Sequence, residues 1–188
     1  MTEEGSRNMR AVEGRRAEES QAILVRWMGV MDANSTGFVH GGTVMRLCDE
    51  AAALAAIRHS HRRVVTAGVD RMTFLHAIQV GELLTLKASV NAAWRTSMEV
   101  GVMVEAEHPH TGQRRHTNSA YLTMVAVDED GRPVPIPKLL TETSEEQRRE
   151  REAQLRRRNR LAERDQIVLE RDKGSRRVAE GSDLSAER

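Results

Sequence analysis

Three stretches of the chain alternate apolar and polar residues with a period of two. In GELLTLKASVNAA, Leu84, Leu86, Ala88, Val90 and Ala92 alternate with Thr85, Lys87, Ser89 and Asn91. In SMEVGVMVEAE, Met98, Val100, Val102, Val104 and Ala106 alternate with Glu99, Gly101, Met103 and Glu105. In TNSAYLTMVAV, Ala120, Leu122, Met124 and Ala126 alternate with Ser119, Tyr121, Thr123 and Val125. This pattern predicts antiparallel strands with one packed face. Gly81, Pro109, Gly112 and Gly131 supply the turns. Upstream, RRVVTAGVDRMTFL (62–75) predicts a fourth strand, interrupted near Asp70, and AILVRWMGV (22–30) a fifth. Residues 43–60 change period: Val44, Leu47, Ala51, Leu54 and Ala55 recur at helical spacing. A helix of that length runs roughly 27 Å at 1.5 Å per residue. The stretch MDANSTGFVHGG (31–42) before it is rich in turn formers and predicts a loop.

The order is strand, long helix, then four strands. It predicts an α+β domain with a sheet wrapped over one central helix. One helix covers one face of such a sheet, so a second copy of the chain is the natural partner for the rest. Residues 1–18 are charged and aperiodic and predict disorder. The domain is expected over 19–140. Residues 141–188 form a charged extension in which Glu and Arg fall three and four apart. They predict a solvated helix with a thin apolar stripe at Leu155 and Leu161, frayed over its last dozen residues.

Composition narrows the picture. The hydrophobic fraction is 39% but the aromatic fraction only 3%, so the core must be built from Val, Leu, Ile, Met and Ala. A net charge of +1 gives no global field toward nucleic acid. The run Arg156-Arg157-Arg158 stands out locally. Residues 145–188 nevertheless hold 13 basic against 11 acidic side chains, which favours a solvated or bracing helix over RNA or membrane binding. No apolar run approaches the roughly 20 residues that span a bilayer. The single cysteine, Cys48, excludes an intrachain disulfide. With the polar start MTEEGSRNMR, it predicts a cytoplasmic protein.

Candidate chemistry centres on Asp49, an acid inside an otherwise apolar helix. Burial of an unpaired carboxylate is unfavourable. At helical spacing its neighbours are Gly42, Met45, Arg46, Ala52, Ala53 and Ala56. Either Asp49 pairs with Arg46, or the small residues let a ligand or another backbone approach it. Gly41-Gly42 at the helix start offers N–H groups that can polarise an oxyanion, or simply a tight turn. Asn34 precedes it, as a turn residue or as a donor to water or a carbonyl. Cys48 points about 100° away from Asp49 and reads as helix packing. The seven histidines show no metal-ligand spacing, and His108-Pro109-His110 falls in a turn, so no metal is expected.

The segments Asp32-Ala33-Asn34, Val39-His40-Gly41-Gly42 and Cys48-Asp49-Glu50-Ala51-Ala52 together resemble the entry loop and central helix of cytosolic long-chain acyl-CoA thioester hydrolases and their short bacterial relatives. Arg58-His59, Val65-Thr66-Ala67, Thr73-Phe74-Leu75 and Thr96-Ser97-Met98-Glu99-Val100 continue the resemblance in order. Ala77 departs from the proline common there. The resemblance implies a hotdog fold, in which an antiparallel sheet curls round one long helix. It implies a homodimer with two sites at its interface, assembled further as a trimer of dimers. Each site would use Asn34 of one subunit and Asp49 of the other, with the Gly42 N–H at the thioester carbonyl. Asp49 would act as general base or as nucleophile. CoA contacts are implied for Val65, Thr66, Ala67, Trp94, Arg95, Thr96 and Ser97. No cofactor is implied, CoA being part of substrate and product. The expected function is hydrolysis of fatty acyl-CoA. Two other readings share the fold: a non-catalytic acyl-CoA sensor, and an enoyl-CoA hydratase, which would need a histidine beside the acid.

Overall fold

The computed structural model describes residues 14–183, with side chains to residue 171. Strand β2 (Ala22–Trp27) leads through a loop into helix α1 (Gly41–Ser60). Strands β3 (Arg63–Val69), β4 (Leu83–Ala93), β5 (Ser97–Glu107) and β6 (Arg114–Val127) follow. They form one antiparallel sheet in the order β2-β4-β5-β6-β3. A two-residue parallel pair, β1 (Arg15–Arg16) with β7 (Leu139–Leu140), closes the ends of the domain, and α2 runs over Ser144–Asp183. All five predicted strands and the central helix are present.

The alternating residues face α1 as their period requires. Leu84, Leu86, Ala88 and Val90 of β4, Met98 to Ala106 of β5, and Ala120 to Ala126 of β6 present one buried face. The helix answers with Val44, Leu47, Cys48, Ala51, Ala52, Ala55 and Ala56, all buried. Four alanines on the packed side let helix and sheet approach closely. The concave rows run across the sheet, and one of them aligns Met98, Met124 and Thr66. That row carries Thr66 to the helix side of the edge strand β3.

The loop before α1 is tied to the turn before β4. Val39 N–H donates to the Ile78 carbonyl at 2.9 Å, and Phe38 bridges Gln79. That turn is pinned in turn by a partly buried ion pair. The Glu82 carboxylate accepts from both Arg115 terminal nitrogens at 2.5 and 2.7 Å and from the Gln79 N–H at 2.8 Å. Arg115 also donates to the Ala77 carbonyl at 2.8 Å.

Several boundaries differ from the sequence pattern; β2, expected over 22–30, ends at Trp27, and Val30–Asp32 form a 3-10 turn. Arg15–Ser20, partly within the stretch expected to lack structure, form β1 and a 3-10 turn, because Arg15 N–H finds the Lys138 carbonyl at 2.8 Å. Residues 1–13 of that expectation lie outside the described residues. The helix begins at Gly41, two residues early, because His40 caps it. The interruption expected near Asp70 is present, since β3 stops at Val69, but the strand does not resume before 75: the Asp70 and Leu75 N–H groups bond singly to Tyr121 and Thr117 of β6. The C-terminal helix, expected to fray over its last dozen residues, is helical through Asp183, and the rest lies outside the described residues. It opens with a capping box, Thr143 Oγ1 accepting from Glu146 N–H while Glu146 Oε2 accepts from Thr143 N–H.

By internal contacts the chain forms one unit to Glu150 and a second from Arg151. Within the second, Glu152 and Arg156 pair at helical spacing, and Leu155 and Leu161 are exposed.

Burial pushes the Glu82 carboxyl up, but the Arg115 hydrogen bonds and charge and the Gln79 N–H outweigh it and leave it below the usual carboxylate range. A carboxyl lowered by folding stabilises fully above its unfolded value and loses that contribution as pH falls through the folded one. Glu82→Gln is expected to lower stability by about 2 kcal/mol at pH 7. The difference from wild type should shrink below the ordinary carboxylate range. Urea unfolding at pH 7 and pH 3.5 checks this; an equal difference at both would contradict it.

Candidate active site

Helix α1 starts on a side-chain cap. His40 holds an extended backbone, and its Nδ1 accepts from the Gly42 N–H at 2.9 Å. Thr43 and Val44 N–H groups both reach the His40 carbonyl. Gly42 was expected to offer a free N–H to a carbonyl; that N–H is occupied by His40. Among the described residues the first-turn N–H without a bond is that of Gly41. The helix ends where His61 adopts the left-handed conformation, φ 50°, and donates to the Ile57 carbonyl.

Asp49 lies two turns into the helix, half-buried. It does not pair with Arg46, which binds Glu50 one turn on. Instead Thr66 Oγ1 donates to Asp49 Oδ1 at 2.5 Å, the length of a charge-assisted hydroxyl–carboxylate bond. Oδ2 accepts no bond among the described residues. A register shift between Thr66 and Gly68 leaves Ala67 as a bulge, and such bulges re-aim neighbouring side chains. One oxygen is thus held and the other is left open. The resemblance implies a CoA contact alone for Thr66; the signal for its bond to Asp49 is a polar residue at an inward position of an edge strand.

Asn34 takes the turn role that its sequence context allowed. Its Oδ1 accepts from Thr36 N–H at 2.9 Å, Thr36 Oγ1 at 2.7 Å and Phe38 N–H at 3.2 Å. Gly37 completes the turn at φ 84°, a conformation suited to glycine. The Nδ2 group makes no bond among the described residues and can donate outward. No hydrogen bond joins Asn34 to Asp49 within the chain.

The remaining predicted contacts gather at one end of the sheet. Val65 and Ala67 are exposed on β3. Trp94, Arg95 and Thr96 make the β4–β5 turn, where Trp94 N–H donates to the Ser97 carbonyl at 2.8 Å. Ser97 is in register with Val125, which is in register with Val65. Turn and edge strand are thus two strand spacings apart, about 10 Å. Cys48 is buried beside Asp49. Burial, with a smaller contribution from the Asp49 charge, pushes its thiol up to about 12. Among the described residues no three His, Cys, Asp or Glu side chains gather to hold a metal ion, and no helix is long and apolar enough to cross a membrane.

A family model described as the thioesterase superfamily matches residues 36–113. Protein VdlD of Helicobacter pylori is 43% identical over 133 residues, covering 71% of this chain and 76% of that protein. The chain belongs to the thioesterase superfamily. The cytosolic acyl coenzyme A thioester hydrolase of Rattus norvegicus is 36% identical over 132 residues, 69% of this chain but 35% of the rat protein. The chain therefore spans about a third of the length of that relative. Among solved structures, an apo-hexameric acyl-CoA thioesterase superposes with a TM-score of 0.78 at 39% identity, covering 81% of this chain and 97% of that one. The acyl-CoA hydrolase of Staphylococcus aureus in complex with butyryl coenzyme A and coenzyme A superposes at 0.75 with 31% identity, covering 82% and 96%. Single alanine mutants of that hydrolase at an asparagine, an aspartate and a threonine have similar structures.

A buried thiol held this far above neutrality presents almost no thiolate. Ellman's reagent at pH 8 should label Cys48 no faster than the protein unfolds. Rapid labelling of the native protein would contradict the packing role.

Proposed function

We propose that the chain hydrolyses fatty acyl-CoA thioesters at sites shared between two copies of itself. The observation that carries this is the half-engaged Asp49 carboxylate: Thr66 fixes Oδ1, and Oδ2 remains to accept a proton or attack a carbon. The mutants of the Staphylococcus aureus hydrolase add support. There the replaced asparagine, aspartate and threonine stand 15 and 17 positions apart. Asn34, Asp49 and Thr66 are spaced by the same 15 and 17.

A second copy enters this reading because Asn34 and Asp49 share no hydrogen bond within one chain. The surfaces around both residues favour pairing. Val30 and Met31 are 78% and 94% exposed beside the Asn34 loop. Met45, Leu54 and Ile57 on α1 and Val65 and Val69 on the edge strand are also exposed. Apolar side chains clustered in this way mark an interaction surface. Asn34 Nδ2 of one copy would then face Asp49 of the other. One relative is hexameric, and a trimer of dimers extends the same pairing.

In this reading the thioester carbonyl lies toward the helix start, where the Gly41 N–H is open and the Gly42 N–H would become so if His40 turned aside. Asp49 takes a proton from water as the water oxygen attacks the carbonyl carbon. The intermediate collapses, the C–S bond breaks, and the CoA sulfur leaves with that proton. Direct attack by Asp49 instead breaks the C–S bond and expels the CoA thiolate, giving an anhydride; water opens it to the free acid and the Asp49 carboxylate, and the proton that water releases goes to the thiolate. Asn34 orients the water or the carbonyl. CoA runs along Val65, Thr66 and Ala67 and past Trp94, Arg95, Thr96 and Ser97. Asp49, Asn34 and water suffice for either path, so no cofactor is required. A hydratase would need a histidine at the acid, and the Nδ1 of His40, the nearest in sequence, is spent on the helix cap. The rat relative is cytosolic by name, and a single cysteine fits the same compartment for this chain.

Thiol release from a panel of acyl-CoAs tests the reading. Asp49→Ala should lower kcat by at least about a hundredfold while CoA binding persists. Thr66→Val removes a bond to a charged group worth about 1.5–3 kcal/mol, so kcat should fall about 10- to 100-fold. Full activity in Asp49→Ala, or tight acyl-CoA binding without thiol release by wild type, would overturn it.

A further inference from the structure

At the C-terminal end of α1 an open cleft of about 820 Å³ is lined by Arg15, Glu19, Ile57, Arg58, His61, Arg62 and Arg63. Four arginines face one glutamate. The glutamate is already engaged: Glu19 accepts from the backbone and side chain of Arg16, and the Arg16 backbone N–H, opposed by desolvation, holds its carboxyl low. The Arg62 and Arg63 guanidinium groups make no hydrogen bond or ion pair among the described residues. Arg15 and Arg58 are held in place by single bonds. Arg15 donates to the Arg58 carbonyl at 2.8 Å and Arg58 to the Gln21 carbonyl. Each guanidinium has five N–H donors, so most remain available. The cleft therefore gathers uncompensated positive charge in a concave wall with one apolar side chain, Ile57. Such a surface fits phosphate, which guanidinium binds in a two-pronged geometry.

Its position gives the phosphate a source. Strand β3 leaves α1 at His61 and runs back along it. Arg63 precedes Thr66 by three residues, about 10 Å along a strand. Arg58 follows Asp49 by nine residues, about 14 Å along a helix. The pantetheine arm of CoA has about as many backbone bonds as four residues, an extended reach of about 14 Å. A thioester at Asp49 with its arm along β3, past the Val65–Ser97 row, would thus deliver its phosphates to this cleft.

We propose that Arg15, Arg58, Arg62 and Arg63 form the subsite for the CoA phosphates, with Arg62 and Arg63 as the principal ligands. The assignment rests on the thioesterase reading above. It explains why a chain of nearly zero net charge leaves arginines unpaired at this place. It also makes the phosphates a recognition handle remote from the reacting carbon.

The test uses the full-length chain and two measurements. The first is kcat/KM for one acyl group carried on CoA and on phosphate-free pantetheine. The wild-type preference for the CoA ester should fall at least tenfold in Arg62→Ala/Arg63→Ala. The second is calorimetric binding of CoA, which needs no turnover. The double variant should bind CoA at least tenfold more weakly, and Asp49→Ala should bind it as wild type does. Both side chains are exposed, so the variant should fold, and an unchanged melting temperature checks this. The wild type alone gives a further reading: CoA affinity should weaken steeply from 50 to 500 mM KCl. ADP should raise KM for acyl-CoA without changing kcat. An unchanged ester preference and CoA affinity in a folded variant overturns the proposal. A change in kcat on adding ADP, marking a separate nucleotide site, also overturns it. Absence of thiol release by wild type removes the thioesterase reading instead, and weakened CoA binding by the variant would still support the cleft.

Discussion

A threonine on an edge strand can touch an aspartate on a helix only if helix and sheet lie close together. Ala51, Ala52, Ala55 and Ala56 set that separation, since each is fully buried and adds a single methyl to the interface. A larger side chain there would lift α1 from the sheet or force strained rotamers. The row Met98–Met124–Thr66 then brings a hydroxyl under Asp49. The short Thr66–Asp49 bond is thus the endpoint of core packing as much as a feature of the site. Through it the carboxylate keeps one oxygen fixed while the other stays open to chemistry.

A second chain of constraints holds the Asn34 loop. The Glu82–Arg115 pair fixes the turn before β4, and that turn receives Val39 and bridges Phe38. The Asn34 side chain closes its own turn with Oδ1 and leaves Nδ2 outside. Loop and helix are each held by hydrogen bonds, and no hydrogen bond joins Asn34 to Asp49 inside one chain. Exposed apolar residues near both, and an unpaired edge on β3, favour a second copy as the missing half.

The fold was legible because its physics is periodic. Alternation in three strands and helical spacing in one segment predicted β4, β5, β6 and α1, while β2 and β3 were legible as apolar runs and α2 as Glu–Arg spacing. Boundaries were less legible where a single tertiary bond decides them, as with Arg15 on the Lys138 carbonyl or His40 capping α1. The same limit applies at the site. Asp49 stood out as an acid among apolar residues, and Asn34 as a loop polar group. Choosing between Arg46 and another partner for Asp49 required the third dimension, because Thr66 is 17 residues away. The occupied Gly42 N–H was hidden for a related reason: His40 could equally have pointed elsewhere. The arginine cleft joins residues from positions 15 to 63, a spread with no period to reveal it.

The central claim is that each site takes Asn34 from one copy and Asp49 from another. Mixing subunits tests it most directly. Asn34→Ala and Asp49→Ala chains, each inactive alone, would be co-expressed in equal amounts. A twofold-symmetric dimer with shared sites makes half of the dimers mixed, each with one intact site, so about a quarter of wild-type activity should return. No recovery from folded, mixed oligomers would place both residues in one chain's site and contradict the account.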